Sequence, residues 1–389
     1  MTYSFVSLSR CVAITLISFA FFAGCNNKKS VGKDNVAIPT ELKEFQASAK
    51  FDSKWRAKVA SDDSQRGERL RPSASGEKLF VAGPGEVRAL SAVSGKTLWQ
   101  TQAVGRWSGG PSTDGKRVVV GSVDGEIIAL DANDGEVLWQ KEVSSEVLAA
   151  PAVADDVVVV KTIDGRISAF EASDGKLRWE IARDVPLLTL RGSAAPIVSD
   201  GLVFVASENG KVAAFKQTDG SPVWEQTVSV SAGRNELERV SDIDGVVKLD
   251  KGDLFMAGYN GQAVAVTSQN GTTLWSYNAP SISGIGLSSR AMIVSDSDSI
   301  VIALDRRSGV ELWRQEALKY RFISAPVVIG NYVVVADLEG FLHAMELDTG
   351  KFAARTKTGS DPITMAPVIS GDLLISQNDS GAITALELR

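Results

Sequence analysis

A unit of roughly forty residues repeats along this chain, and most copies end on Gly-x-x-x-Trp. The closures are Gly95/Trp99, Gly135/Trp139, Gly175/Trp179, Gly220/Trp224, Gly271/Trp275, Gly309/Trp313 and a worn one at Gly350/Ala354. The cleanest copy, residues 111–143, reads PSTDGKRVVVGSVDGEIIALDANDGEVLWQKEV. Its turns Asp114-Gly115, Asp124-Gly125 and Asn133-Asp134-Gly135 separate four short strands, because Asp-Gly and Asn-Gly pairs adopt the positive φ of tight hairpins. Small four-stranded sheets at this period cannot bury their faces alone. They predict a radial arrangement, an all-β propeller, with function on the faces and rims of a disc.

The same grammar recurs where "APAV", "APIV", "APVV" and "APVI" open inner strands at Pro151, Pro196, Pro326 and Pro367. Two copies are worn: Ser288-Ser289-Arg290 and Asp244-Gly245-Val246 are read as standing in the Ala-Pro position. Trp55, the six Trp closures and the Ala354 position mark eight outer strands, yet Trp55 precedes any complete unit and the last unit stops after its third strand. The strand at residues 50–59 is therefore expected to complete the C-terminal blade, giving an eight-bladed β-propeller of four-stranded blades over residues 50–389 with no open edge between first and last blades.

The 389 residues carry 41 basic and 47 acidic side chains, a net charge of −6, with no basic patch, which argues against nucleic acid as a partner. Residues 1–24 read as an export signal: Arg10 is their only charge, residues 11–22 form an apolar run too short to span a membrane, and small residues follow. Ala23-Gly24-Cys25 resembles the bacterial lipobox, in which the cysteine becomes the acylated first residue. Cys25 is thus the expected lipidation site, and Asn26 after it implies delivery to the outer membrane. Residues 25–49 read as a lipidated flexible tether. With the signal removed no second cysteine remains, so no intramolecular disulfide can form.

Catalytic chemistry finds little support. Ala-Leu-Asp-x-x-x-Gly-x-x-x-Trp at residues 129–139 and 303–313 is similar to the docking motif of pyrroloquinoline-quinone dehydrogenases, in which the indoles pack between blades, a structural role. Enzymes of that kind also use a vicinal cysteine pair, which this chain lacks. The only histidine, His343, sits in a strand without a second His or Cys to share a metal, and no Gly-x-Ser-x-Gly occurs. The pairs Asp242/Asp244 and Asp296/Asp298 are weak metal signals beside turns. No enzyme activity, cofactor or metal is expected.

Spacing is more informative. Successive outer-strand tryptophans from Trp55 to Trp313 lie 44, 40, 40, 45, 51 and 38 residues apart. The excess falls in two consecutive inter-blade connections, residues 182–195 and 229–245. An outer-to-inner connection emerges on the same face as the second-to-third hairpin, so both should form one raised patch. Leu187, Leu188 and Leu190 beside Arg191, with Asp242 and Asp244 in the second connection, have the make-up of a protein-binding site: apolar anchors with a charged rim.

The lipobox, the eight-unit closure, "LLTLRG" before "APIV" and "ERVSDIDG" before "LFMAGYNG" together resemble the BamB family, the lipoprotein subunits of the β-barrel assembly (Bam) machinery, across the whole mature chain. The resemblance implies a non-enzymatic scaffold, lipid-anchored in the outer membrane and facing the periplasm. It would bind POTRA domains of the barrel-forming subunit BamA through Leu188, Leu190, Arg191, Asp242 and Asp244, with unfolded outer-membrane protein precursors as further partners. Gly245-Val246-Val247 departs from the family's usual Thr-Thr-Pro. The competing reading is a quinoprotein-like enzyme or a small-ligand binder using the central channel.

Overall fold

The computed structural model describes residues 37–60, 70–103, 105–154, 156–186, 194–229, 242–243 and 245–389. In the larger compact unit, residues 39–389, eight separate four-stranded antiparallel sheets form the blades of a propeller. Blades 1 to 7 span residues 73–102, 107–142, 152–182, 197–227, 248–277, 284–315 and 327–357. Blade 8 pairs Val368–Ser370, Leu373–Gln377 and Ala382–Leu388 with the N-terminal strand Phe51–Lys58. The closure read from the repeat count is therefore present. Phe51 faces Leu388 and Lys58 faces Ala382 across an antiparallel ladder.

Burial follows from each strand's place in the blade. Second strands such as Arg117–Ser122 and Val157–Lys161 are covered on both faces by neighbouring blades, so unbroken valine runs replace alternation. Outer strands alternate instead. In Thr97–Gln102 and Val137–Glu142 the tryptophan alone is fully buried.

Each outer-strand tryptophan reaches from its own blade onto the next. Its Nε1–H donates to a main-chain carbonyl there: Trp99 to Ala132 at 3.2 Å, Trp139 to Ala172 at 3.0 Å, Trp224 to Ser268 at 2.9 Å, and Trp55 of blade 8 to Ala92 of blade 1 at 2.8 Å. The indole lies flat on the closing glycine of the next copy; a Cβ at Gly271 would come within 2.5 Å of Trp224 Cε3. That glycine also turns through φ 71°, so two constraints select it. Within its own blade each tryptophan faces an alanine on the third strand, as in Ala129↔Trp139 and Ala303↔Trp313, which leaves room for the ring. The sequence motif is thus the imprint of one repeated inter-blade staple.

Two local readings change. Ser288-Ser289-Arg290 does not open an inner strand; it is the turn between Gly284–Leu287 and Ala291–Ser295, and by register Gly284-Ile285 occupies the Ala-Pro position. Ser288 mimics a turn opening because it is one: its Oγ accepts from Arg290 N and Ala291 N. Residues 39–49, expected within the tether, lie against the disc. Thr40 N donates to Lys319 O, Ser48 N and Ala49 N to Ala353 O, and Phe45 packs on Phe352 with ring centroids 5.4 Å apart. This strap covers the one outer strand, Phe352–Lys357, that carries Ala354 in place of tryptophan.

Candidate partner-binding face

One face of the disc is defined by hydrogen bonds that tie the end of an outer strand to the second-to-third hairpin of its own blade. Val143 N donates to Gly125 O at 2.8 Å, Arg183 N to Gly165 O at 2.9 Å and Val228 N to Gly210 O at 2.9 Å. The connections to the next inner strands therefore leave from this face, and both oversized connections do so, from blade 3 to blade 4 and from blade 4 to blade 5.

The stems of these connections are firmly held. Arg183, at the start of the first, pairs with Glu225 of blade 4, lies 5.6 Å over the Phe215 ring, and shares Glu225 with Lys211 at 2.6 Å. Hydrogen bonds from Lys211 and Arg183 hold the Glu225 carboxyl below its ordinary pKa. Between the same blades Lys161 is 5% exposed and donates to Glu208 Oε1 at 2.6 Å and Ala206 O at 3.0 Å. A charge pair this buried persists only because a carbonyl also satisfies the ammonium.

The second connection leaves at Ser229 and returns at Asp242, and both ends meet the Gly258–Gly261 turn of blade 5. A Cβ on Gly261 would lie 2.0 Å from Ser229 Oγ, and Tyr259 N donates to Asp242 O at 2.9 Å. Asp242 is fully buried. The Gly245-Val246-Val247 departure has a definite conformation: Val246 forms a parallel bridge with Gly284 of blade 6, and a Cβ at Gly245 would sit 2.4 Å from Gly284 Cα. A glycine is required there by close backbone approach. Of the sequence-predicted site, Asp242 is thus placed, at the foot of the second connection. Leu188, Leu190, Arg191, Asp244 and the lipidation residue Cys25 lie outside the described residues.

Two features of the molecule were not anticipated. Lys161 ends the run Val-Val-Val-Val-Lys, where the equivalent strands of blades 4, 5 and 7 end in alanine, and that break in pattern was a usable signal. Under the strap, His343 Nε2 lies 2.9 Å from Asp337 Oδ2, Arg321 Nε donates to the same oxygen at 2.7 Å, and Arg355 Nε donates to His343 Nδ1 at 3.1 Å. Arg321 and Arg355 also donate to Thr40 O and Lys43 O of the strap. His343 is packed and hydrogen-bonded within the protein.

Comparison with known proteins agrees with this architecture. The family model for the outer membrane protein assembly factor BamB matches residues 83–315 and 297–389. BamB of Xanthomonas campestris is 36% identical over 98% of this chain and 98% of its own length. BamB of Pseudomonas aeruginosa is 40% identical over 94% and 96%, and that of Escherichia coli 30% over 95% and 97%. The crystal structure of BamB from Moraxella catarrhalis superposes with a TM-score of 0.79 at 28% identity, covering 87% of this chain and 99% of that one. Quinohemoprotein alcohol dehydrogenase from Comamonas testosteroni reaches a TM-score of 0.68 at 14% identity, a likeness of fold alone. A radial repeat closed by its own first strand, with sequence similarity running nearly end to end, places the chain in the BamB family of outer membrane protein assembly factors.

Proposed function

We propose that this propeller is a non-enzymatic scaffold of the Bam complex, lipid-anchored through Cys25 and facing the periplasm, that grips POTRA domains of BamA with its two long connections. The observation that carries the reading is the convergence of their stems: blades 3 to 4 and 4 to 5 are neighbours, and both connections rise from the same face. Leu188 and Leu190 would supply apolar anchors, while Arg191 makes two parallel hydrogen bonds to a carboxylate or carbonyls of the partner. Asp244 would accept from partner amides or basic groups. Asp242, being buried against blade 5, would set the posture of the second connection.

The outer strand of each blade pairs within its sheet on one side only, and apart from blade 7, where the strap donates to Ala353 O, no backbone partner meets its other edge among the described residues. Exposed apolar side chains lie along these strands, among them Leu98, Leu138, Leu177, Val223 and Leu274. Unfolded barrel precursors could add strands there by main-chain pairing. Truncating an interfacial charge that is desolvated on binding costs about 2–5 kcal/mol, so Arg191→Ala should weaken co-purification with BamA by about thirty-fold or more. Undiminished co-purification of a folded Arg191→Ala protein would remove Arg191 from the contact.

A further inference from the structure

The register of the eight blades aligns the residues that open each inner strand. At the position of the alanine in Ala-Pro stand Arg71, Gly110, Ala150, Ala195, Val246, Gly284, Ala325 and Ala366. Two residues on stand Ser73, Ser112, Ala152, Ile197, Lys248, Gly286, Val327 and Val368. Small or apolar residues are the rule around this ring. Only Arg71 and Lys248 carry charge, and they belong to blades 1 and 5, which face each other across the axis of an eight-bladed disc.

Both side chains line one cavity of about 190 Å³, whose remaining wall comes from blades 5 to 8 and is mostly apolar: Ile285, Leu287, Val327 and Ile369 are among its residues. Among the described residues no carboxylate lines it. Arg71 spends Nε and Nη2 on the carbonyls of Ala366 and Pro367, at 3.1 and 3.0 Å, which fixes the guanidinium against the start of the blade-8 inner strand. Lys248 makes no hydrogen bond or ion pair among the described residues. Burial and the charge of Arg71 push its ammonium below the ordinary lysine pKa. Two half-buried cations held near each other, with no counter-charge among the described residues, lose free energy by desolvation and by mutual repulsion, and an anion between them would relieve both.

We propose that the axial channel is a binding site for a small doubly charged oxyanion, held between Arg71 and Lys248. The cavity is smaller than the roughly 300–1,000 Å³ of ordinary cofactor sites, which restricts the occupant to a short dicarboxylate or inorganic phosphate. Its apolar wall favours the dicarboxylate. The site rests on the channel lining alone and is independent of the partner-binding reading.

The test is calorimetric titration of the purified full chain with succinate, with phosphate, and with chloride at matched ionic strength. Succinate or phosphate should bind once per chain with heat that chloride does not reproduce; the stronger of the two identifies the anion's source. A charge-assisted hydrogen bond lost at Lys248 should weaken binding about tenfold or more in Lys248→Gln. Lys248→Arg should retain it, and Lys251→Gln, on the exposed turn beyond the same strand, should match the unaltered chain. Equal binding by folded Lys248→Gln, or heats no different from chloride, would overturn the proposal.

Discussion

His343 is the only histidine of the chain, which makes it a clean reporter of how a buried network couples to pH. Its ring is fully buried. Nδ1 accepts from Arg355 Nε, so the ring proton sits on Nε2 and is donated to Asp337. A second proton would have to enter at Nδ1, against the Arg355 N–H and beside two guanidiniums. Burial, reinforced by the charges of Arg355 and Arg321, holds the His343 pKa below the ordinary 6.5, with Asp337 opposing. Glu339, paired with Arg321, and Glu44, acting on Arg355, complete the charged surroundings.

In the window below pH 6.5 the unfolded chain takes up a proton that the native chain refuses. Stability is therefore fully present above pH 6.5 and falls as pH drops through it, by up to about 1.4 kcal/mol per pH unit while native His343 stays neutral. Between pH 8 and pH 5.5 the loss should reach at most about 1.4 kcal/mol, the limit for a ring that stays neutral throughout. Asp296 and Asp379 have raised pKa values, again from burial, and act in the opposite sense at lower pH. They persist in a His343→Gln variant, so the difference between the two proteins isolates the histidine together with its hydrogen-bonded Asp337. Urea unfolding at pH 8, 7, 6 and 5.5 should give a declining midpoint for the unaltered chain and a flatter one for His343→Gln. Parallel curves would refute the assignment of a neutral, proton-refusing His343.

The inter-blade staple makes separable predictions. Trp139→Phe keeps most of the ring but leaves Ala172 O without its donor, costing about 1–3 kcal/mol, whereas Trp139→Ala should cost about 3–5 kcal/mol in denaturant titrations; equal losses would contradict the packing role of the indole. Gly271→Ala combines a left-handed φ with a clash on Trp224, and Gly201→Ala has the same backbone need in open space. The latter should lose about 1–2 kcal/mol, the former more, with a shifted indole emission; equal losses with unchanged emission would remove the stacking from the account.

Much of the architecture was readable because it is written in local chemistry. Asp124-Gly125 and Asn133-Asp134-Gly135 mark strand reversals that need positive φ, and the strands between them fall where expected. The seam at Trp55 could be inferred because a lone outer strand at one end and a missing one at the other have a single economical solution. Gly284-Ile285 was missed since it has neither the alanine nor the proline of its equivalents, and Ser288 supplied a convincing decoy. The strap escaped because Leu42 and Phe45 are isolated apolar residues in a polar stretch, and only the bare Ala354 position explains where they dock. Lys161 stood out as a break in pattern, but its pairing with Glu208, like Asp337–His343–Arg355 and the Arg71/Lys248 pair, could not be read: partners are set by blade register, and a charged residue in a strand does not announce what it will face. The proposed binding patch rests on excess length and composition in residues 182–195 and 229–245, which point to a surface without specifying its shape.

The ladder between Phe51–Lys58 and Ala382–Leu388 has a temporal corollary. The first strand of the ring to be synthesised has no partner until the last one arrives, so the ring stays an open arc until the chain is nearly complete. Contacts this distant along the chain form slowly, and until they do, two sheet edges stand ready to pair with other chains. A member of this assembly-factor family must therefore itself pass through an unsealed stage, and even a short C-terminal deletion would leave it there permanently.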